Sequence, residues 1–376
     1  MNKIPVGVLG ATGTVGQRFV QLLADHPWFE VVAVTGSDRT VGRPYGEGVN
    51  WLMSGSVPER TAGLIVRPTD VDLDIPGEPP VVFSALPTTE AKEWEPRFAA
   101  AGYAVVTNTS VFRMHSTVPL LIPEVNPDHT ALIPVQRAEE GWPGFIVASP
   151  NCSTTSAILP LKILQEAFGV RAAIITTLQA ISGAGYPGVS SMDIYDNVVP
   201  YIGGEDEKLQ NEPTKLLGAV RDGQMTRAAI AISAQANRVP VVDGHLASVS
   251  VGLERRASAE EAIAALRAWR PPAVCAQLPS SPGELLIYRE EPDRPQPRRD
   301  RDAGDGLAWT VGKVRACPVL DVRYVSLTHN TLRGAASGAL LNAELLVVQG
   351  YIGRDVMPGD SFRQPHSNGR EGVMTR

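Results

Sequence analysis

The sequence predicts an α/β protein: a doubly wound parallel sheet in its first 150 residues, then a second α+β domain built on a mixed sheet. Three observations predict it. The first 150 residues alternate short apolar runs with helical patterns, as strand–helix–strand units do. A glycine-rich turn joins the first apolar run to the first helix. Beyond it, longer segments alternate apolar with polar residues, the pattern of a sheet with one open face.

The elements follow in order. Strands are expected at residues 6–9, 30–35, 81–85, 104–107 and 145–148, each a short buried run. Val15, Phe19, Leu22 and Leu23 mark the apolar face of the first helix, and a second helix is expected at residues 88–101. A helix at residues 156–168 opens the second domain, which extends to about residue 330. Residues 239–254, 284–289 and 311–328 (broken at Pro318) read as strands of the mixed sheet. A helix at residues 258–269 starts on a capping box of Ser258 and Glu261. Residues 291–306, rich in Pro, Arg and Asp, are expected to form an extended surface loop or subunit arm. A last helix covers residues 332–349, and the polar tail at 358–376 is expected to be mobile.

A chain of 376 residues can bury a full core without disulfides or metals, and no metal site is expected. Its net charge of −6 points to neither nucleic acid nor a membrane surface. No apolar run approaches the roughly 18 residues of a membrane span. The three cysteines, an odd number without a C-x-x-C pair, favour a reducing compartment. With no apolar leader at the start, a cytoplasmic protein is expected.

Gly7, Gly10, Gly13 and Gly16 lie between the first strand and first helix. Such glycines permit a tight turn and close approach of a pyrophosphate to the helix N-terminus. A glycine cluster alone could be a simple strand-to-helix turn; its place in a βαβ unit makes it a dinucleotide site. Gly10, Thr12, Gly13, Thr14 and Val15 are the candidate contacts. After the second strand come Ser37, Asp38, Arg39 and Thr40. An acid there suits a ribose hydroxyl, an arginine a 2′-phosphate. Ser37, Arg39 and Thr40 favour NADP, while Asp38 keeps NAD open.

Cys152 stands after an apolar strand and before a helix, in Ser149-Pro150-Asn151-Cys152-Ser153-Thr154-Thr155. A helix N-terminus stabilises a thiolate, lowering thiol pKa values to about 3.5–7.5. Its polar neighbours argue against an inert core cysteine, whereas Cys275 and Cys317 read as structural. A nucleophilic thiol needs a proton partner. Of the six histidines, His245 follows a glycine break in a strand pattern, a weak distinction from a core histidine.

Taken together these segments resemble the aspartate-semialdehyde dehydrogenase family, in its archaeal and fungal-type branch. The resemblance spans the chain to about residue 350 and rests on GATGTVGQRF, SPNCSTT, LQAISGAGYPG, GGEDEK, NRVPVVDGH and HNTLRGAASGALLNAELL in that order. It implies Cys152 as nucleophile, His245 as acid/base and Gln179 as an orienting residue. It implies Arg238 for the substrate carboxylate, Glu205 for its ammonium, and Lys208, Arg113 and Asn151 for phosphate. Ser182 and Gly183 are similar to a loop near the cofactor, and Asn330 to a residue near the nicotinamide. The implied reaction is NADPH-dependent reductive dephosphorylation of β-aspartyl phosphate through a Cys152 thioester, serving amino-acid biosynthesis. The implied assembly is a homodimer or homotetramer, with the last helix returning to the first domain. A malonyl-CoA reductase and a non-catalytic NADP-binding regulator are the alternatives.

Overall fold

The structure, a computed structural model, describes residues 3–353. Strands β1 (Ile4–Leu9), β2 (Phe29–Val34), β3 (Val81–Ser84), β4 (Ala104–Thr107) and β5 (Phe145–Ala148) form a parallel sheet in the order β2-β1-β3-β4-β5. The residues of β3, β4 and β5 are buried throughout, which is why they read as unbroken apolar runs. Helices α1 (Thr14–Leu23), α2 (Thr88–Ala100) and α3 (Leu132–Glu140) cover the sheet. Helix α1 turns Phe19, Val20 and Leu23 inward; Val15 and Leu22 remain half-buried at its margin.

Helix α4 (Cys152–Phe168) leads into the second sheet. That sheet contains β6 (Val170–Gln179), β7 (Ala231–Arg238), β8 (His245–Leu253), β9 (Leu286–Arg289), β10 (Trp309–Ala316) and β11 (Val322–Thr328). Helix α5 (Glu205–Leu216) lies between β6 and β7 in the chain, and α6 (Ala259–Ala268) follows β8. The order is β9-β10-β11-β8-β6-β7, with parallel pairs at both edges and antiparallel pairs between them. Ala157, Ile158 and Leu161 of α4 share a core with Ile175, Val249, Val251 and Tyr324 from one face. The other face is open: Ile174 and Leu178 are 45% and 40% exposed. The capping box of Ser258 and Glu261 starts α6 as its spacing predicts. Helix α7 (Ser337–Val348) packs into the core of the first sheet, where Leu341 and Leu345 join Val6, Phe83, Val106 and Val147.

Three expectations are corrected. Strands β6 and β7 were not expected: the small and polar residues of β7, AISAQANR, have little β-propensity, and pairing with β6 decides their state, whereas β6, VRAAIITTLQ, carries β-branched residues and was missed as a strand. The strand expected from residue 239 starts only at His245, because Gly244 breaks the backbone at φ +101°. Residues 291–306 are not an extended arm. They fold around Asp300, which is 2% exposed and lies in the short helical turn Pro297–Asp300. Its carboxylate accepts from Arg294 Nε at 2.7 Å and Gln296 N at 2.6 Å, and lies 3.3 Å from Arg289 Nε. The tail at 358–376 lies outside the described residues.

Candidate active site

The glycine-rich turn is built for a close backbone approach. Gly10 has φ +71°, and its amide donates to Thr35 Oγ1 at 3.1 Å. Thr35, the residue at the strand end, therefore anchors the turn. Gly13 is the N-cap of α1, so the amides of Thr14 and Val15 precede the first intrahelical bond and lack helical acceptors. A Cβ on Gly36 would lie 2.5 Å from Thr40 Oγ1 and 3.1 Å from Thr12 Cγ2, so the Ser37–Thr40 turn abuts the glycine turn. This arrangement fits a dinucleotide: amides at the helix end for its pyrophosphate, and Ser37, Arg39 and Thr40 for its ribose phosphate. A Cβ on Gly16 would fall 2.2 Å from Gly10 O and 2.6 Å from Ala11 Cα, both backbone. Gly16→Ala is therefore expected to weaken NADP binding sharply and lower stability by about 1–3 kcal/mol. Fluorescence titration and thermal melting would check it; unchanged NADP affinity would refute this role for the turn.

The candidate catalytic groups meet at the opposite edge of the first sheet, after β5. Cys152 is the first residue of α4, and Asn151 is its N-cap, accepting from Ser153 N at 2.9 Å. Gln179 and Arg238 are register partners at the parallel ends of β6 and β7. Antiparallel β8 begins beside them at His245, since Leu246 pairs with Leu178. Three strand termini thus deliver Gln179, Arg238 and His245 to one place. Glu205 starts α5, where the helix dipole favours a carboxylate. It gathers donors from all sides: Asn151 Nδ2 at 2.9 Å, Lys208 Nζ at 2.9 Å, Ser153 Oγ at 3.2 Å and Gln179 Nε2 at 3.3 Å. Arg238 Nη1 donates to Ala180 O at 2.8 Å. The segments around Ser182, Gly244 and Asn330 also converge here. Asn330 Nδ2 donates to Ser182 Oγ at 2.8 Å while its Oδ1 accepts from Gly244 N at 2.8 Å. A Cβ on Gly183 would sit 2.9 Å from Arg238 Nη1 and 3.0 Å from His245 Nε2. Ser37, Arg39 and Thr40 stand apart, beside β2. The charges of Asp243 and of Arg18 on α1 act on His329 in opposite directions.

The electrostatics differ from the expected low-pKa thiol. Burial, and after it the Glu205 charge, push the Cys152 thiol up to about 12; Arg113, Arg238 and Lys208 oppose this. His245 is fully buried, and burial, Arg238 and His329 push it down to about 3. Its Nδ1 accepts from Ala180 N at 3.1 Å, so a neutral ring carries its proton on Nε2, an atom with no hydrogen-bond partner. The resting pair is a protonated thiol and an Nε2–H donor.

Several residues of the site were not legible. Glu212 is 1% exposed and bonds both Arg113 Nη1 at 2.9 Å and Asn151 N at 2.7 Å. Lys215 is 1% exposed and donates to the carbonyls of Arg113, His115 and Val118 at 2.6–2.7 Å. Glu205, Lys208, Glu212 and Lys215 recur at helical spacing, but such a charged stripe ordinarily faces water. Gly334 packs on Cys152: a Cβ there would lie 2.7 Å from Cys152 Cβ.

Known proteins share this architecture. Residues 5–133 match the family model of the semialdehyde dehydrogenase NAD binding domain, and residues 161–333 that of the semialdehyde dehydrogenase dimerisation domain. An aspartate-semialdehyde dehydrogenase of Archaeoglobus fulgidus is 49% identical over 93% of this chain and 100% of its own. The structure of the Candida albicans aspartate-semialdehyde dehydrogenase with NADP superposes with a TM-score of 0.83 at 40% identity, covering 92% of this chain and 99% of that one. A Vibrio cholerae aspartate-semialdehyde dehydrogenase complexed with ASA has a TM-score of 0.71 at 25% identity, covering 95% of this chain and all of that one. Sequence, fold and paired family models agree: the chain belongs to the aspartate-semialdehyde dehydrogenase family.

Proposed function

We propose that this protein catalyses NADPH-dependent reductive dephosphorylation of β-aspartyl phosphate to aspartate β-semialdehyde through a thioester on Cys152, in amino-acid biosynthesis. The observation that carries it is the charged shell around one thiol: Glu205, Arg113, Arg238 and Lys208 all act on Cys152. An amino-acid acyl phosphate has the complementary groups. Arg238 takes the α-carboxylate, for which a planar guanidinium is suited. Glu205 takes the ammonium, and Arg113, Lys208 and Asn151 take the phosphate. Substrate ammonium at Glu205 neutralises the charge that, after burial, raises the thiol. Cys152 sulfur then attacks the acyl carbon, the C–O bond to phosphate breaks, and the thiol proton leaves with the phosphate. Gln179 orients the acyl group, and His245 presents its Nε2–H to the carbonyl oxygen. NADPH, held by the turn at Gly10, Thr12, Gly13, Thr14 and Val15, by Ser37, Arg39 and Thr40, and by Ser182, Gly183 and Asn330 at its nicotinamide end, supplies hydride when bound. The cysteine sulfur departs as a thiolate as the aldehyde forms and regains its proton from solvent, the His245 ring being the group that handles proton traffic at the carbonyl oxygen.

The domain division is residues 1–150 for cofactor and 151–330 for catalysis and dimerisation, with α7 completing the first. The open sheet face bearing Ile174 and Leu178 is the proposed contact in a homodimer or a homotetramer. Three free cysteines support a reducing, cytoplasmic setting. The test is phosphate-dependent NADPH formation from aspartate semialdehyde, run in parallel with NAD. Activity with NADP is expected. No signal there, with signal on malonyl-CoA, would overturn the substrate.

A further inference from the structure

We propose that Glu212 is a positioning residue that locks the phosphate-binding arginine to the turn carrying the nucleophile. The proposal rests on the reading of Arg113 as a phosphate ligand. Glu212 divides its two oxygens between the two parts of the site. Oε1 accepts from Arg113 Nη1 at 2.9 Å, and Oε2 accepts from Asn151 N at 2.7 Å. Asn151 caps the helix whose first residue is Cys152. One buried carboxylate therefore sets the distance between phosphate pocket and thiol.

The rest of the arginine's surroundings make this a rigid arrangement. Arg113 Nη2 donates to Asn108 O at 2.7 Å, and the guanidinium is held at two corners. Its Nε is buried without a partner, a donor left for an incoming acceptor. A cavity of about 430 Å³ adjoins it, lined by Arg113, Lys208, Glu212 and Arg227 among others. One turn along α5, Lys215 grips the same loop through the carbonyls of Arg113, His115 and Val118. Burial pushes its ammonium down to about 7, yet three carbonyl acceptors match the three N–H bonds of the charged form alone. The loop that presents Arg113 is thus fastened to α5 at Glu212 and at Lys215.

A carboxylate beside an anion site also repels the anion, and this separates positioning from mere charge balance. Gln in place of Glu212 removes the repulsion but offers one acceptor oxygen where two donors need one each. If Glu212 were a spectator charge, E212Q would lower the KM for phosphate. If it positions Arg113, E212Q raises it. The experiment measures KM for phosphate and for aspartate semialdehyde in the full-length enzyme, with NADP saturating, for E212Q, E212D, R113Q and the double variant. In E212Q the phosphate KM should rise about tenfold and the semialdehyde KM stay within about twofold. E212D, which keeps the charge but is too short for both donors, should raise phosphate KM as well, and it carries the test if E212Q does not fold. Adding E212Q to R113Q should change phosphate KM little further. A phosphate KM that is unchanged or lower in E212Q, or equal rises for both substrates, would overturn the proposal. If R113Q itself leaves phosphate KM unchanged, the phosphate pocket reading has failed, and the proposal falls with it for that separate reason.

Discussion

Cys152→Ser is expected to reduce turnover by about four orders of magnitude while NADP affinity and thermal stability stay near those of the parent protein. The substitution exchanges one atom, sulfur for a smaller oxygen, at a helix start, so packing has little reason to change. The loss comes from chemistry. A serine hydroxyl ionises far less readily than a thiol, and no base in this site compensates, because His245 holds its ring proton on Nε2. An ester would also accept hydride less readily than a thioester. Single-turnover NADPH oxidation measures the effect directly; a variant with near-parental turnover would remove Cys152 from the mechanism. The same geometry predicts a pH profile. With the thiol pushed up to about 12, alkylation of Cys152 in the substrate-free enzyme should keep rising beyond pH 9 without a plateau. Mass spectrometry of the Cys152 peptide is required, because Cys317 reacts separately. Backbone N–H groups of Leu320 and Val319 lower its pKa against the opposing effect of burial. A plateau at neutral pH would show a resting thiolate and contradict the electrostatics.

Gly334→Ala is the second large effect, about a hundredfold in kcat/KM. The added Cβ would lie 2.7 Å from Cys152 Cβ and 3.0 Å from its Cα, too close for any ordinary contact. Neither side yields easily. Cys152 belongs to a helix whose cap is bonded to Glu212 and Glu205. Gly334 lies in a π-helical turn, Leu332–Ala336, beside Arg333. Arg333 is 2% exposed, pairs with Glu124 through Nη1 at 3.0 Å, and stacks 4.2 Å from the Trp309 ring centroid. The clash therefore moves the nucleophile, and a displacement near 1 Å is enough for a loss of this order. Steady-state kinetics beside circular dichroism separate this from unfolding: a folded variant with parental kcat/KM would show that the contact can relax.

The first sheet was legible because its strands are largely buried and the helices at Thr14–Leu23 and Thr88–Ala100 turn apolar residues inward, so local periodicity carries the information, whereas α3 was not expected. Strands β6 and β7 were not. Residues such as Ala231, Ser233, Gln235 and Asn237 become strand only because β6 offers a ladder to pair with, which is a property of the tertiary fold. The same division runs through the site. Cys152 was visible from its place before a helix, and Glu205 and Arg238 from motifs shared with a known family. Glu212 and Gly334 were invisible, because a charged residue in a polar helix stripe and a glycine near a helix start have common, bland explanations.

By itself the sequence determined the α/β class, the glycine-rich turn between β1 and α1 and the candidate nucleophile, since each follows from neighbours in the chain. Only the tertiary structure decided the state of that residue. Burial and Glu205, 53 positions away in the numbering from 152 to 205, raise a thiol that its own helix would lower. The physical reason is range: helix dipoles and turns are set by adjacent residues, whereas desolvation and charge are set by whatever the fold packs against them.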